Sequence, residues 1–118
     1  MKRILIIDDE VKVRQVYRDA LEAEGYAVFD SESSEGATEA FLRWPPDLVL
    51  LDIKMPKLDG RFMAEVIELF GTNARVIVAS VFPLSTQAKM LPQADDYFDK
   101  SQGPDVLIER VNRIFRDS

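Results

Sequence analysis

The sequence contains no cysteine and no histidine among its 118 residues. Without cysteine the chain can form neither a disulfide nor a thiolate metal site, a composition that suits a cytosolic protein. Without histidine it lacks the commonest general base, the imidazole metal ligand and a phosphohistidine of its own. Any chemistry in this chain must therefore use carboxylates, hydroxyls, lysines or groups that a partner supplies.

Long apolar runs and an excess of positive charge are also lacking. Only four apolar residues follow the first three residues, and no later run approaches about 18, so we expect no leader, no membrane contact and a cytoplasmic location. Fifteen basic and 21 acidic residues give a net charge of -6, which argues against direct binding to nucleic acid. The length predicts one domain over residues 1–118.

Short apolar runs alternate with segments of helical periodicity along the chain. The runs predict five strands at residues 4–7, 27–29, 48–51, 76–79 and 97–98. Apolar spacing predicts helices over 13–21, 37–44, 63–70 and 104–115, with a short fourth helix between Pro83 and Pro92. Five β-then-α units predict an α/β fold, a doubly wound (βα)5 parallel sheet in the flavodoxin-like order 2-1-3-4-5.

Polar side chains follow four of the predicted strands. Asp8 and Asp9 follow the first strand within ILIIDDE, while Asp52, Ser80 and Lys100 follow the third, fourth and fifth strands. Each residue alone is more typical of a helix cap, a turn or a solvated charge. Because the carboxyl ends of parallel strands share one edge of the sheet, their coincidence predicts a single pocket.

The carboxylates at this edge need either solvent or a cation, because crowded unpaired acids repel one another. Oxygen ligands without histidine or cysteine favour Mg²⁺ over zinc or copper. A hydroxyl and a lysine beside that ion would complement a phosphoryl group. The residues themselves thus predict a magnesium site that serves phosphate.

Four motifs in this sequence are shared with one protein family: ILIIDDE, LVLLDIKMPKLDG, VIVAS and DYFDK. With them the chain resembles the receiver domain of bacterial two-component response regulators over essentially its whole length. The second motif carries the spacing of Asp52, Met55-Pro56 and Asp59-Gly60. The four motifs together are highly specific, whereas DD or DG alone would not be.

The resemblance implies a role for each pocket acid. Asp52 would be the phosphoacceptor. Asp9, Asp52 and the backbone carbonyl of Lys54 would coordinate Mg²⁺ directly, and Asp8 would act mainly through a metal-bound water.

The resemblance also implies how the signal would pass. Ser80 would hydrogen-bond to the phosphoryl group, Lys100 would pair with it, and Tyr97 would be the switch aromatic that moves inward with Ser80. The donor would be a phosphohistidine on a sensor histidine kinase or a histidine phosphotransfer protein. The output would be a changed surface on the fourth helix, fifth strand and fifth helix, read by an unknown downstream protein or an output domain outside these residues. Formation of a homodimer on phosphorylation is left open.

Such a receiver is not an enzyme in the usual sense, since it performs only self-directed phosphoryl transfer and autodephosphorylation. Three alternatives compete with this interpretation. A pseudo-receiver would keep the fold as an interaction module without phosphorylation. A phosphatase of the haloacid-dehalogenase type needs a second acid where Lys54 stands, and a flavodoxin-like nucleotide or flavin binder needs a glycine-rich loop after the first strand.

The sequence departs from the family pattern at several positions. Ser101 replaces a common proline after Lys100, which leaves the isomer of that peptide bond open. Val81 replaces a smaller residue and is expected to narrow access to Asp52. The segment 80–100 is short, and 92–94 reads Pro-Gln-Ala, so we expect a distorted fourth helix.

Overall fold

A computed structural model describes residues 1–52, 74–92 and 94–117. Its strands are β1 Arg3–Ile7, β2 Ala27–Ser31, β3 Leu48–Asp52, β4 Arg75–Ser80 and β5 Asp96–Asp99. All five predicted strands are confirmed, and each extends one or two residues beyond its predicted bounds. The extensions arise because polar residues such as Arg3 and Asp52 continue the ladder beyond the apolar run that marks a strand in sequence.

The strands form one parallel sheet in the order β2-β1-β3-β4-β5, as predicted. The register brings the strand ends together: Asp52 lies opposite Ala79, and Ser80 lies opposite Asp99. The predicted pocket residues on these strands therefore lie at the same edge of the sheet, where the strands end.

Helices connect the strands. They are α1 Val11–Ala23, α2 Ser34–Arg43, the short helix Leu84–Met90, a 3-10 turn Lys100–Gln102 and the C-terminal helix Pro104–Asp117. The predicted helix over 63–70, with Asp59 as its N-cap, lies outside the described residues. Within the described ranges, no helix has both the length and the apolar character needed to cross a membrane.

Local signals explain where α1 and α2 begin and end. Gly25 adopts a φ of 94°, a conformation that favours glycine and terminates α1. The Ser33 hydroxyl accepts a hydrogen bond from the Gly36 N–H at 3.1 Å and caps the start of α2. Val16 was predicted to lie on the buried apolar stripe of α1, but its side chain is 50% exposed. Tyr17 and Leu21 carry the burial of that helix.

Two hydrophobic clusters cover the opposite faces of the sheet. Leu5 and Ile7 face the side of α2, whereas Ile4 and Ile6 face α1 and the C-terminal helix. Every residue of β3 is buried, as expected for a strand covered on both sides. The sheet therefore separates two hydrophobic layers, and polar side chains lie at its carboxyl edge.

Candidate functional site

Lys100 lies between two buried carboxylates at the carboxyl edge of the sheet. Its Nζ donates to Asp8 Oδ2 at 2.6 Å and to Asp52 Oδ2 at 3.1 Å. The three side chains are only 10%, 3% and 5% exposed, respectively. This ammonium supplies the positive charge that the acids after β1 require, so the structure brings together three of the predicted pocket residues.

The main chain and side chain of Asp8 are both held in place. Its N–H donates to the Ser31 carbonyl at 3.0 Å, and its carbonyl accepts from Arg14 Nη1 at 2.7 Å. Its Oδ1 atom accepts the Glu10 N–H at 2.9 Å. Arg14 also lies 3.6 Å from Asp30, which anchors its guanidinium to the end region of β2. The Asp8 carboxylate is therefore preorganised by neighbours on β2, α1 and the loop between β1 and α1.

Asp9 and Glu10 follow Asp8 as exposed residues. A carboxylate oxygen from each of Asp8, Asp9 and Glu10 lies within 4.8 Å of the other two. This all-oxygen donor set fits a hard divalent cation such as Mg²⁺. Glu10 was missed as a ligand candidate, and its only sequence signal is its place as the third carboxylate of ILIIDDE. The Lys54 carbonyl lies outside the described residues, so its predicted metal role stays a prediction.

Ser80 ends β4 and is completely buried. Its Oγ accepts the Phe82 N–H at 3.2 Å, which closes a turn directly after the strand. Its neighbour Ala79 pairs with Asp52 across the sheet. Val81 lies in this turn between Ser80 and Phe82 and is exposed. Its predicted effect on access to Asp52 stays a prediction.

Tyr97 lies on β5 and is partly buried. Its hydroxyl donates to the Leu91 carbonyl at 2.8 Å, and its ring packs against the cluster on the α2 side of the sheet. In this conformation Tyr97 therefore connects β5 to the segment that follows the short helix. Its predicted role as a switch is compatible with this placement but rests on the resemblance.

Gln87 was missed by the sequence analysis. It is completely buried in the short helix, and its Nε2 donates to carbonyls of the β4 turn and of β5. The sequence offers one indirect signal for Gln87. The segment between Pro83 and Pro92 has too few regularly spaced apolar residues to fill the buried face of a helix, which leaves room there for a polar side chain.

The peptide bond between Lys100 and Ser101 is trans, because no cis bond occurs within the described ranges. Instead of a proline, a side-chain cap shapes the turn. Asp99 Oδ1 accepts the Ser101 N–H at 2.9 Å and the Ser101 hydroxyl at 2.7 Å. These two bonds lower the pKa of the Asp99 carboxyl and fix the backbone on either side of Lys100.

Two opposing effects act on the pKa of Lys100. Burial lowers it, but the hydrogen bond to Asp8 and the charges of Asp52 and Asp8 outweigh burial and raise the pKa above its ordinary 10.5. Lys100 is therefore a permanent cation in the folded chain at neutral pH.

This raised pKa predicts a loss of stability in alkaline solution. The contribution of Lys100 is complete below pH 10.5 and disappears as the pH rises through the higher folded-state value. Urea unfolding of the native chain and of Lys100→Met, compared at about pH 8 and pH 11, should show the difference between them shrink. Burial raises the pKa of Tyr17 and the charge of Lys100 lowers it, so Tyr17 does not cancel in this comparison and both proteins should also carry Tyr17→Phe. A difference that is the same at both pH values would contradict the prediction.

Comparison with known proteins identifies the family. A family model described as the response regulator receiver domain matches residues 4–112. The probable transcriptional regulator ycf27 of Porphyridium aerugineum is 32% identical over 116 residues, which are 98% of this chain and 48% of that protein. The chemotaxis protein CheY of Thermotoga maritima is 30% identical and matches 96% of this chain and 97% of its own. The chain thus spans about half the length of the ycf27 relatives that it matches.

Solved structures agree with this match. The response regulator protein TrrA of Thermotoga maritima, solved in complex with Mg²⁺-BeF, has a TM-score of 0.84 at 34% identity, covering 96% of this chain and 98% of its own. The receiver domain of the Francisella response regulator 1452 has a TM-score of 0.86 at 25% identity, covering 99% and 98%. The strand order, the buried acids with their lysine and the match over residues 4–112 together show that this chain belongs to the response regulator receiver domain family.

Proposed function

We propose that this chain is a phosphorylation-dependent switch of a two-component phosphorelay, with Asp52 as the phosphoacceptor. Membership of the receiver family supports a two-component signalling role. The observation that carries the finer proposal is the Lys100 ammonium, which contacts the buried Asp52 carboxylate at 3.1 Å and Asp8 at 2.6 Å. A carboxylate held beside a permanent cation is suited to receive an anionic group.

The proposed reaction is a transfer between a partner's phosphohistidine and Asp52. An Asp52 carboxylate oxygen attacks phosphorus, and an acyl phosphate bond forms as the phosphorus–nitrogen bond breaks. The electron pair returns to the imidazole nitrogen, which takes up a proton from solvent. A carboxylate and a phosphoryl group repel each other, so the charge of Lys100 offsets this repulsion as the two approach.

Mg²⁺ is the proposed cofactor. Asp9, Asp52 and the Lys54 carbonyl are its proposed direct ligands, and Asp8 would act mainly through a metal-bound water. The clustered oxygens of Asp8, Asp9 and Glu10 fit such an ion. The bound ion would neutralise charge on the phosphoryl oxygens. The related TrrA was solved in complex with Mg²⁺-BeF, which supports this cofactor by similarity.

The response begins at Ser80 in this proposal. Its hydroxyl leaves the Phe82 N–H and donates to a phosphoryl oxygen, and Tyr97 changes its position with it. The altered surface is then read by a downstream protein or by an output domain outside these residues. The proposed donor is a sensor histidine kinase or a histidine phosphotransfer protein. The chain itself would catalyse only the transfer of the phosphoryl group to its own aspartate and the later hydrolysis of that group.

Incubation with acetyl phosphate and Mg²⁺ tests this proposal. We expect intact-mass spectrometry to show the addition of one phosphoryl group to the native chain. Asp52→Asn should show none, because an amide is not a nucleophile toward phosphorus at neutral pH. Asp19→Asn, the same change at an exposed position of α1, should be phosphorylated like the native chain.

Two outcomes would contradict the proposal. An unaltered mass of the native chain would favour a pseudo-receiver that acts only as an interaction module. Phosphorylation that persists in Asp52→Asn would place the acceptor elsewhere. Removal of Mg²⁺ by a chelator should reduce the modification, and full modification without the ion would exclude the cofactor assignment.

A further inference from the structure

Gln87 occupies the position where a short amphipathic helix would place an apolar side chain. Within the described residues of Leu84–Met90 it is the buried residue, with no exposed area. A polar side chain that replaces an apolar one at such a place needs hydrogen-bond partners, because burial removes it from water. The partners of Gln87 therefore indicate what the residue does.

The Gln87 amide nitrogen contacts three backbone carbonyls. Nε2 lies 2.8 Å from the Phe82 oxygen, 3.0 Å from the Phe98 oxygen and 3.4 Å from the Ser80 oxygen. A side-chain amide carries two N–H donors, so the two shorter contacts use them and the third is weaker. One side chain thus ties the turn after β4 and the strand β5 to the short helix.

The turn that Gln87 holds is the same turn that the Ser80 hydroxyl holds. Ser80 Oγ accepts the Phe82 N–H, while Gln87 donates to the Phe82 carbonyl. If the Ser80 hydroxyl moves away from the Phe82 N–H to donate to a phosphoryl oxygen, the bond from Gln87 to the Phe82 carbonyl still links the turn to the helix. The hydrogen bonds of Gln87 then connect a shift of the turn to the short helix and to β5.

The other end of the Gln87 side chain is not satisfied. Its Oε1 atom is buried and has no hydrogen-bond partner among the described residues. A buried amide oxygen without a donor raises the free energy of the conformation that contains it. A second conformation in which this oxygen gains a donor would recover this cost.

We propose that Gln87 is a positioning residue that couples the Ser80 turn to the short helix and to β5, so that these segments move together. The inference rests on the proposed function only for its trigger, the modification of Asp52. The coupling would reach the proposed output surface without direct contact by Ser80 or Gln87. The Phe98 carbonyl, which accepts from Gln87, lies next to Tyr97 in the chain, and the short helix is part of the proposed surface.

Beryllofluoride, a stand-in for a phosphoryl group, provides the trigger in the test. With Mg²⁺ and beryllofluoride, we expect backbone amide NMR signals of the native chain to shift in residues 81–90 and at Tyr97. Gln87→Met keeps a similar length but removes the amide. It should bind beryllofluoride within about threefold of the native affinity, while the shifts in residues 84–90 fall by about half or more.

Gln15→Met is the matched control, since it makes the same chemical change at an exposed position of α1. Its response should equal that of the native chain. A native-sized shift of residues 84–90 in Gln87→Met would overturn the coupling. A uniform loss of response that also appears in Gln15→Met would overturn it too, because the effect would then be unspecific.

A second measurement needs no substitution and stands even if Gln87→Met folds poorly. The side-chain NH₂ signals of Gln87 in the native chain should shift, and their exchange with water should change, when beryllofluoride binds. Unchanged Gln87 signals beside a clear fluorine signal from the bound group would overturn the coupling alone. Absence of any bound fluorine signal would overturn the proposed function, and the coupling with it.

Discussion

Replacement of Lys100 by methionine is expected to lower the free energy of unfolding by about 3–5 kcal/mol. The Lys100 ammonium is the cation that contacts both Asp8 and Asp52, whose side chains are almost fully buried. Without it, two desolvated carboxylates lose the cation that contacts both of them. Urea unfolding at neutral pH without divalent ions measures the loss.

The control for this prediction is Lys12→Met, the same change at an exposed position of α1. Its effect should stay within about 0.5 kcal/mol. Adding Asp52→Asn to Lys100→Met should recover part of the loss, since one of the two carboxylates becomes neutral. If the effects of the two substitutions simply add, the lysine and the aspartate do not stabilise each other and the prediction is wrong.

Phe98→Ala is expected to cost about 3–5 kcal/mol of folding free energy. Phe98 has no exposed area and belongs to the cluster that joins β5 to α1 and the C-terminal helix. Its ring meets that of Tyr17 edge-on, at a centroid distance of 6.1 Å and an angle of 74°. Truncation leaves a cavity that the sheet and the two helices are too well packed to fill. Chemical denaturation gives the value directly.

Phe29→Ala makes the same truncation on the other side of the sheet. Phe29 is 44% exposed, and its ring packs edge-on against that of Trp44 with a distance of 4.1 Å between the ring centroids. Because solvent already reaches this ring, its loss should cost only about 1 kcal/mol. Equal losses for the two phenylalanines would show that burial at Phe98 does not decide its contribution.

The fold follows from features that a sequence states directly. The runs that contain Ile4 and Leu48 are too short for helices and are followed by helical spacing, so they predict buried parallel strands. The position of Asp52, Asp8 and Lys100 at one edge follows in turn, because parallel strands all end on the same side. Their contacts in the structure agree with that reasoning.

Other features depend on contacts that no local pattern records. Backbone carbonyls of the turn after β4 and of β5 converge on the buried Gln87 amide, and neither carbonyl has a sequence signature. The contact of Arg14 with the Asp8 carbonyl has no such signature either. Val16 fits the apolar spacing of α1 but is 50% exposed. Tertiary packing decides such cases.

The anchoring of Asp8 gives the pocket a fixed frame on one side. Its amide, its carbonyl and both carboxylate oxygens each have a partner, from Ser31, Arg14, Glu10 and Lys100. The opposite side, at Ser80, is held by the turn and by Gln87. If the proposed modification of Asp52 displaces this edge of the sheet, we expect the β1 side with its four anchoring contacts to stay in place and the displacement to occur at β4 and β5.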